Sequence, residues 1–506
     1  MTDIAHVDTP DLAYARNWER WELAQDLLGR SEDMRKKGER YLPRFPAEKD
    51  DDYAERVKTS FCHGLYRSAV EKAADAPFVD PVTVANEDAL PPRIRDYIGD
   101  IDGRKTSLTQ FARCAFRDAA SYGVTHILAG HDARSDGDRD KRPVLRHIPA
   151  LSLIAADQDE FGEIIEVRYR GMRKRDPRDG EKPNRWDQSE DRTVTLLERV
   201  DGVVQRSLYV IEENASNSSL ADLEPVEGPE PLRTERNEPL RQIPLVSVYF
   251  DYRGFMEAWP PFYSVAELDL EHYQIRSDYR QALHYGLVPM IVVSGNKAQG
   301  STPKGQAAEG RQKVTLSRTR VMNIAAEAKA YYLEQGGASM EAGRKALEDI
   351  RNEATSHGAQ SQQRAGVRTA TEVFLDDNLS TGRGSSWARA MEKGLGLAID
   401  LMVGWTREDA GESAQVRIAD SGPMTPQQEG RARLAMEAGK GRYLQKKTVI
   451  QVLKECGVAD EDLDVDAEVA ATDAEGLPDP DAIDLSGFED ADQPAAQPAQ
   501  LQTTEN

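Results

Sequence analysis

Pro260-Pro261-Phe262-Tyr263-Ser264-Val265-Ala266-Glu267 opens the segment around which this chain is organised. The prolines stop whatever precedes. Ser264 and Glu267 then form a capping box, in which each end satisfies an orphan donor of a new helix. Val265, Leu268, Ile275, Tyr279 and Leu283 recur at helical spacing until Gly286 and Pro289 supply the stop. The result is a rod of about 31 Å. A return helix is expected after Gly336-Gly337, from about Met340 to His357, with Leu347, Ile350 and Ala354 on one face and Gly358 closing it.

Between the rods lie four short strand candidates: Met290 to Val293, Val314 to Leu316, Arg320 to Ile324 and Ala330 to Leu333. Gly358 to Arg368 carries Gln360, Gln362, Gln363, Arg364, Gly366 and Arg368, with no acid and little to bury, so it reads as a loop. Thr369-Ala370-Thr371-Glu372 is a second capping box that launches a long helix toward Trp405. A narrow hairpin with a β tip cannot bury much surface by itself. It makes sense if neighbouring copies supply the missing contacts.

The chain has 506 residues, enough for two to four domains. It has no apolar run near 18 residues and no basic-then-apolar start, so neither a membrane span nor a secretory signal is expected and the protein reads as cytosolic or assembled in a cytosol. Cys62, Cys114 and Cys456 are scattered without metal spacing and read as buried or partly buried thiols. A net charge of −23 argues against ordinary attraction to a nucleic-acid backbone. From Asp460 onward there are 15 acids and no base, so the remainder is still acidic.

Along the chain, Tyr14, Trp18, Trp21 and Leu28 share a stripe, with Leu27 at its margin, predicting one helix from Asp11 to Lys37. The acids of Glu48 to Asp52 fit the N-terminal dipole of a second helix, Tyr53 to about Ala73, which carries Val57, Phe61, Leu65 and Val70. A third runs from Ser107 to about Ser121. Strands are expected at Val124 to Leu128, Val144 to Ile148, Leu151 to Ala155, Ile164 to Tyr169, Thr193 to Leu197, Val203 to Ile211 and Leu245 to Phe250. Asn214 to Asn237 looks like an exposed connection. Gly382 and Gly384 mark a break in the long helix, which resumes from Trp387 to Leu401. Gln415 to Ile418 is one more strand, returning to the earlier sheet. Two helices, Pro426 to Glu437 and Leu444 to Glu455, precede a tail whose composition predicts disorder.

No catalytic motif stands out. Gly99-Asp100-Ile101-Asp102-Gly103-Arg104-Lys105-Thr106 has three residues between its glycines where a P-loop needs four, and its two acids would repel phosphates. His126 and His131 flank a turn and have no third ligand. Asp157 and Glu160 sit between strands with nothing to set them apart as acid and base. No active site, metal or cofactor is expected.

The order of hairpin, loop and kinked helix resembles bacteriophage portal proteins, in particular a siphophage-type portal family formerly of unknown function. The resemblance rests on Tyr41-Leu42-Pro43 followed by Glu48 and Tyr53-x-x-Arg56; on Ala266 to Gly295 with His272-Tyr273, Ser277-Asp278-Tyr279-Arg280 and Pro289; on Thr369 to Glu372; and on a closing helix, Lys447 to Gly457. It implies an α+β portal fold. Residues 1–262 would be N-terminal helices and an α/β wing, 263–286 and 339–357 the two stem helices, and 287–338 a small β-rich clip. Residues 358–369 would be the tunnel loop, 370–424 a kinked wing helix and return strand, 425–462 a short helical crown, and 463–506 a disordered acidic tail. The glycine cluster Gly382, Gly384, Gly394 and Gly396 is denser than the family pattern leads one to expect.

The implied function is a homo-oligomeric ring, commonly of twelve subunits, at one capsid vertex of a virion assembled in host cytoplasm. Double-stranded DNA passes through it. Partners implied by the resemblance are the terminase large subunit (the packaging ATPase), the head-tail adaptor, and the major capsid and scaffold proteins. An acidic wall repels DNA over about 8 Å in physiological salt, which keeps friction low. Arg364 and Arg368, with Gln360, Gln362 and Gln363, are then sparse phosphate contacts. Lys297, Lys304, Arg311 and Lys313 cluster beside strand edges and would dock partners in the clip. The alternatives are a minor head or tail-connector protein without a channel, and a DNA-processing hydrolase or packaging ATPase.

Overall fold

The computed structural model describes residues 6–46, 48–132, 142–175, 186, 188–211, 223–287, 290–294, 329–333, 337–357, 370–406, 411–418, 431–437, 446–455 and 465–474. The chain divides into two units, Met1–Asp420 and Ser421–Asn506.

The first unit begins with α1 (Leu12–Leu28), capped by Asp11, whose carboxylate accepts the Tyr14 N–H at 2.7 Å. The single helix expected over Asp11 to Lys37 is two. The chain turns at Gly29, Arg30 takes a φ of +60°, and α2 (Arg30–Lys37) follows. Tyr14, Trp21 and Leu27 form the buried stripe. Trp18, expected inside it, lies 37% exposed and stacks on Tyr14.

The second expected helix also splits, into α3 (Asp50–Thr59) and α4 (Leu65–Asp75). The joint is Gly64, whose φ of +78° is open to glycine at no steric cost. Asp50, Asp51 and Asp52 occupy the first turn of α3, as the dipole favours. Phe61, placed on an apolar stripe by its spacing, instead lies in the joint and is 44% exposed.

The short strand β1 (Thr83–Val84) and helix α5 (Pro92–Ile98) lead into α6 (Leu108–Tyr122), which has Ser107 as its N-cap and Gly123 closing it. A Cβ on Gly123 would sit 2.1 Å from the Trp259 carbonyl oxygen, and φ there is +88°, so only glycine fits. Phe111 and Phe116 are buried. Cys114 is exposed rather than buried or partly buried, and Cys62 is buried. Cys456 lies outside the described residues.

Two antiparallel sheets follow. Strands β2 (Val124–Asp132) and β3 (Arg142–Ile148) belong to one. The next five, β4 (Leu153–Gln158), β5 (Ile164–Lys174), β6 (Glu190–Val200), β7 (Val203–Ile211) and β8 (Glu227–Pro231), form a meander in sequence order. The β6–β7 turn is Asp201-Gly202, both at positive φ, which matches the twist of a two-residue hairpin. Strand β8 falls in the stretch expected to be an exposed connection. It is an edge strand with almost every residue exposed, so its composition carries no strand signal. β9 (Leu245–Tyr249) completes the first sheet in the order β3-β2-β9, and β10 (Tyr252–Gly254) pairs with β11 (Glu257–Ala258).

Helix α7 (Tyr263–Leu287) then runs out and α8 (Gly337–His357) runs back. At the end between them β12 (Met290–Ser294) pairs antiparallel with β13 (Lys329–Leu333), with Met290 opposite Leu333 and Ser294 opposite Lys329. The out-and-back reading of this segment is therefore the observed one. The expected strands at Val314 to Leu316 and Arg320 to Ile324, and the second capping residue Thr369, lie outside the described residues.

The long helix α9 (Ala370–Gly404) passes through Gly382 and Gly384 without the expected break. Each glycine costs a helix interior about 1 kcal/mol relative to alanine, too little to end a helix of 35 residues that is held by packing. Trp387, Met391, Leu395, Ala398, Ile399 and Met402 bury its second half against the three-stranded sheet. Gly394 and Gly396 are close approaches: a Cβ at Gly394 would lie 2.3 Å from Val248 Cγ2, and one at Gly396 2.6 Å from the Ala414 carbonyl oxygen. The terminal strand β14 (Val416–Arg417) pairs with β1, not with the earlier sheets. A smaller second core, with Leu153, Val167, Leu197, Val204 and Met256, lies under the five-stranded meander.

In the second unit residues 431–437 form α10, followed by α11 (Lys446–Glu455) and α12 (Val465–Ala474). Helix α12 occupies the start of the tail expected to be disordered. Ala467, Ala470, Ala471 and Ala474 favour helix, Asp466 and Glu468 sit at its positive end, and Lys447 Nζ meets Asp466 at 2.5 Å.

Candidate functional site

All the residues singled out as DNA contacts, Gln360, Gln362, Gln363, Arg364 and Arg368, and all those singled out for docking, Lys297, Lys304, Arg311 and Lys313, lie outside the described residues. What is described is how the chain reaches them. Residues 358–369 join α8 to α9, and residues 295–328 join the paired ends of β12 and β13.

The best-defined polar constellation is the base of the hairpin, where α7 enters the body. Asp269 is fully buried. It accepts hydrogen bonds from the backbone of Gly64, Leu65 and Tyr66, the last at 3.1 Å. Its carboxylate thus caps α4 from another helix, at the end where Gly64 has no side chain to do so. Burial outweighs those donors and raises the Asp269 pKa to about 6. Cys62 Sγ lies 3.9 Å from the same carboxylate, and burial first, that charge second, push its thiol up to about 12. This is an inert cysteine rather than a nucleophile.

Beside it the rings of His63 and His272 stack at 5.3 Å. His272 is 2% exposed, and its Nδ1 meets no hydrogen-bond partner among the described residues. Burial, then His63, Arg276 and Arg351, lower its pKa to about 4, so the ring is neutral at physiological pH. Arg276 covers the face of Phe61 at 4.5 Å, which explains why that aromatic tolerates exposure.

On the other side of α7, the motif residues quoted from the N-terminal region come together as one knot. Arg56 and Glu48 have side chains 3% and 4% exposed and meet at 2.8 Å. Arg56 also donates to the Pro43 carbonyl oxygen at 2.7 Å, and Tyr53 Oη donates to the Leu42 carbonyl oxygen at 3.1 Å. The Arg56 hydrogen bonds hold Glu48 below its usual range. Glu48 is therefore an ion-pair partner and not one of the acids serving the α3 dipole. Helix α7 joins the knot through Asp278, 3.6 Å from Arg56, and through Gln274, which donates to the Tyr41 carbonyl oxygen at 3.0 Å. Arg280 donates to the Thr59 carbonyl oxygen at 2.9 Å.

Other sequence candidates resolve into structural roles. In the Gly99 to Thr106 loop, Asp102 accepts the backbone N–H of Arg104 and of Thr106, at 2.8 and 3.3 Å, so its acids occupy the donors a phosphate would need. His126 and His131 lie on one strand, β2, instead of flanking a turn. His126 is buried against Ser247 at 2.8 Å, and burial lowers its pKa to about 3, while His131 meets the Trp405 ring. Among the described residues no group of three or more His, Cys, Asp or Glu could hold a metal ion, and no helix is long and apolar enough to cross a membrane.

Residues 261–406 match the family model of a domain of unknown function, DUF4055. The match begins at the hairpin and ends with α9. No curated protein matches the chain. Among solved structures, the chain is similar to one from the virion of a native gene transfer agent particle, at 11% identity and a TM-score of 0.40, over 83% of this chain and 98% of that one. It is similar to another from the neck of the empty particle computed with C6 symmetry, at 10% identity and a TM-score of 0.44, over 81% and 95%. A third is from the neck of the native particle computed with C12 symmetry, at 11% identity and a TM-score of 0.38, over the same shares.

Proposed function

We propose that the chain is a portal subunit: a structural protein of a head-tail connector that assembles with copies of itself into a ring around a channel for double-stranded DNA. The observation that carries the reading is the hairpin. One face of its base is buried in the body, where Val265, Asp269, His272 and Tyr273 are 0–2% exposed. Farther out, α8 from Glu341 to Asp349 has no buried residue. A two-helix spoke of this length, with no buried residue among the described residues of the outer part of α8, leaves flanks that identical neighbours can cover. The family-model match isolates the same unit, hairpin plus long helix.

On this reading α7 and α8 are stem helices, residues 287–338 the clip and residues 358–369 the tunnel loop. Residues 1–262 with 370–424 make the wing, and 425–462 the crown. Arg364 and Arg368 touch passing phosphates, with Gln360, Gln362 and Gln363 beside them. Lys297, Lys304, Arg311 and Lys313 serve the docking of the terminase ATPase and later the head-tail adaptor, and capsid and scaffold proteins surround the wing. No step of chemistry is assigned to the chain. Electron micrographs of the purified protein viewed end-on test the reading. A ring with an axial hole is expected. Particles without a ring would point to a minor head or tail-connector role instead, and a metal- or ATP-dependent activity to an enzyme.

A further inference from the structure

Helix α7 is electrically two-sided. Glu267, Glu271 and Asp278 follow at intervals of four and seven, so they share one face. Arg276 lies nine residues beyond Glu267, about two and a half turns, which puts it on the opposite face, and Arg280 follows it one turn on. Glu267, Glu271 and Arg280 are exposed, and the Asp278 side chain is 51% exposed.

The return helix repeats the division. Its inward stripe is Ile350 and Ala354, both buried, and it is set close to α7 at Gly343, where a Cβ would lie 2.8 Å from the Tyr279 ring. Arg351 lies to one side of that stripe and Glu353 to the other, both exposed. Arg351 shares the side of Arg276: its charge bears on Arg276, His63 and His272 alike. Arg30 adds a further cation there, acting on His63. Burial first, then Arg280 and Arg351, hold the Arg276 guanidinium below its usual range. Asp269, on the same side of α7, is buried and committed to the start of α4.

We infer that successive copies meet flank to flank, the acidic side formed by Glu267, Glu271 and Glu353 of one lying against the basic side formed by Arg276, Arg280 and Arg351 of the next. The inference rests on the ring reading above and says how its copies recognise one another. Clustered like charges repel one another in isolation and become favourable when opposite charges face them. A two-fold contact using either flank alone would set like charge against like. A head-to-tail contact uses one flank of each sign from every copy, which is the arrangement that closes a ring. The two signs also impose direction, because a copy inserted backwards meets repulsion on both sides.

Charge reversal tests this in the full chain. The acidic-flank variant is Glu267→Lys with Glu271→Lys, and the basic-flank variant is Arg276→Glu with Arg351→Glu. Each alone should raise the protein concentration needed for half-assembly about tenfold or more at 0.15 M salt. An equimolar mixture of the two should recover assembly, with the variants alternating. So should one chain carrying all four changes. Flank variants that assemble like the wild type, or that neither the mixture nor the fourfold change restores, would overturn the inference while leaving the ring reading in place. A wild type that forms no ring at any salt would sink both. Should the double basic-flank variant melt early, Arg351→Glu alone, at an exposed site, carries the same comparison.

Discussion

Asp269 on the first hairpin helix accepts the backbone N–H of Tyr66 at 3.1 Å, so one buried carboxylate both caps α4 and pins the hairpin to the body. Its pKa stands at about 6, above the ordinary 3.8. Between those values the folded state holds more protons than the unfolded one, so this group's contribution to stability falls as pH rises from 4 to 6. His272 works in the opposite sense. Its pKa falls from 6.5 to about 4, the unfolded state holds more protons across that window, and its contribution rises with pH. Urea unfolding at pH 4, 5 and 6 should therefore show Asp269→Asn gaining stability with pH more steeply than the wild type, and His272→Gln less steeply. Each difference should be on the order of 2–3 kcal/mol across the window. Parallel curves would remove these assignments.

Arg56 and Glu48 form a buried ion pair that also ties down Pro43 and reaches Asp278 of α7. Removing one partner leaves an uncompensated charge, so Glu48→Gln or Arg56→Met should each cost about 3–5 kcal/mol. Replacing both should cost less than the sum of the two. Equilibrium denaturation of the three variants checks the non-additivity.

Gly394 and Gly396 let α9 lie against Val248 and the Ala414 carbonyl. Gly396→Ala should destabilise the protein by about 1–3 kcal/mol, because the obstacle is backbone and cannot rotate away. Gly384→Ala, with nothing within 4 Å of its Cβ, should be neutral or stabilising by up to about 1 kcal/mol. Thermal melts of both variants separate packing glycines from dispensable ones.

If the loop from Gly358 to Arg368 faces DNA, Arg364→Ala with Arg368→Ala should leave ring formation intact and reduce the DNA retained per filled head, by roughly twofold. Unchanged retention would assign those arginines to solvent. Deleting residues 296–310 should in turn impair docking of the ATPase or the adaptor without preventing ring assembly.

The hairpin was legible because the glycine stop at Gly286 and the apolar stripe from Val265 agree. The capping box expected at Ser264 to Glu267 is not the start of the helix: the helix opens at Tyr263, with Tyr263 N–H on the Pro260 carbonyl, so Ser264 already lies in its first turn. The breaks at Gly29 and Gly64 were not legible. In both places apolar residues continue the spacing across the joint, and only tertiary contacts decide that the chain turns. Strand β8 was hidden because an exposed edge strand has no alternating pattern. Asp269 and His272 did carry a signal. They occupy positions four and seven after Val265, on the face whose apolar members Val265 and Tyr273 are buried, so polar residues there mark a buried polar site. The knot of Tyr53, Arg56 and Glu48 was visible as a motif. Its purpose, holding α7, needed the contact with Asp278.

The mass of the particle formed by the purified full chain, measured under native conditions, bears most directly on whether identical neighbours cover the hairpin. A single closed species at an integer multiple of 56.3 kDa, dissociating as salt rises, is the predicted result. A stable, well-folded 56.3 kDa monomer at high concentration, with residues 263–357 protected from solvent, would contradict it.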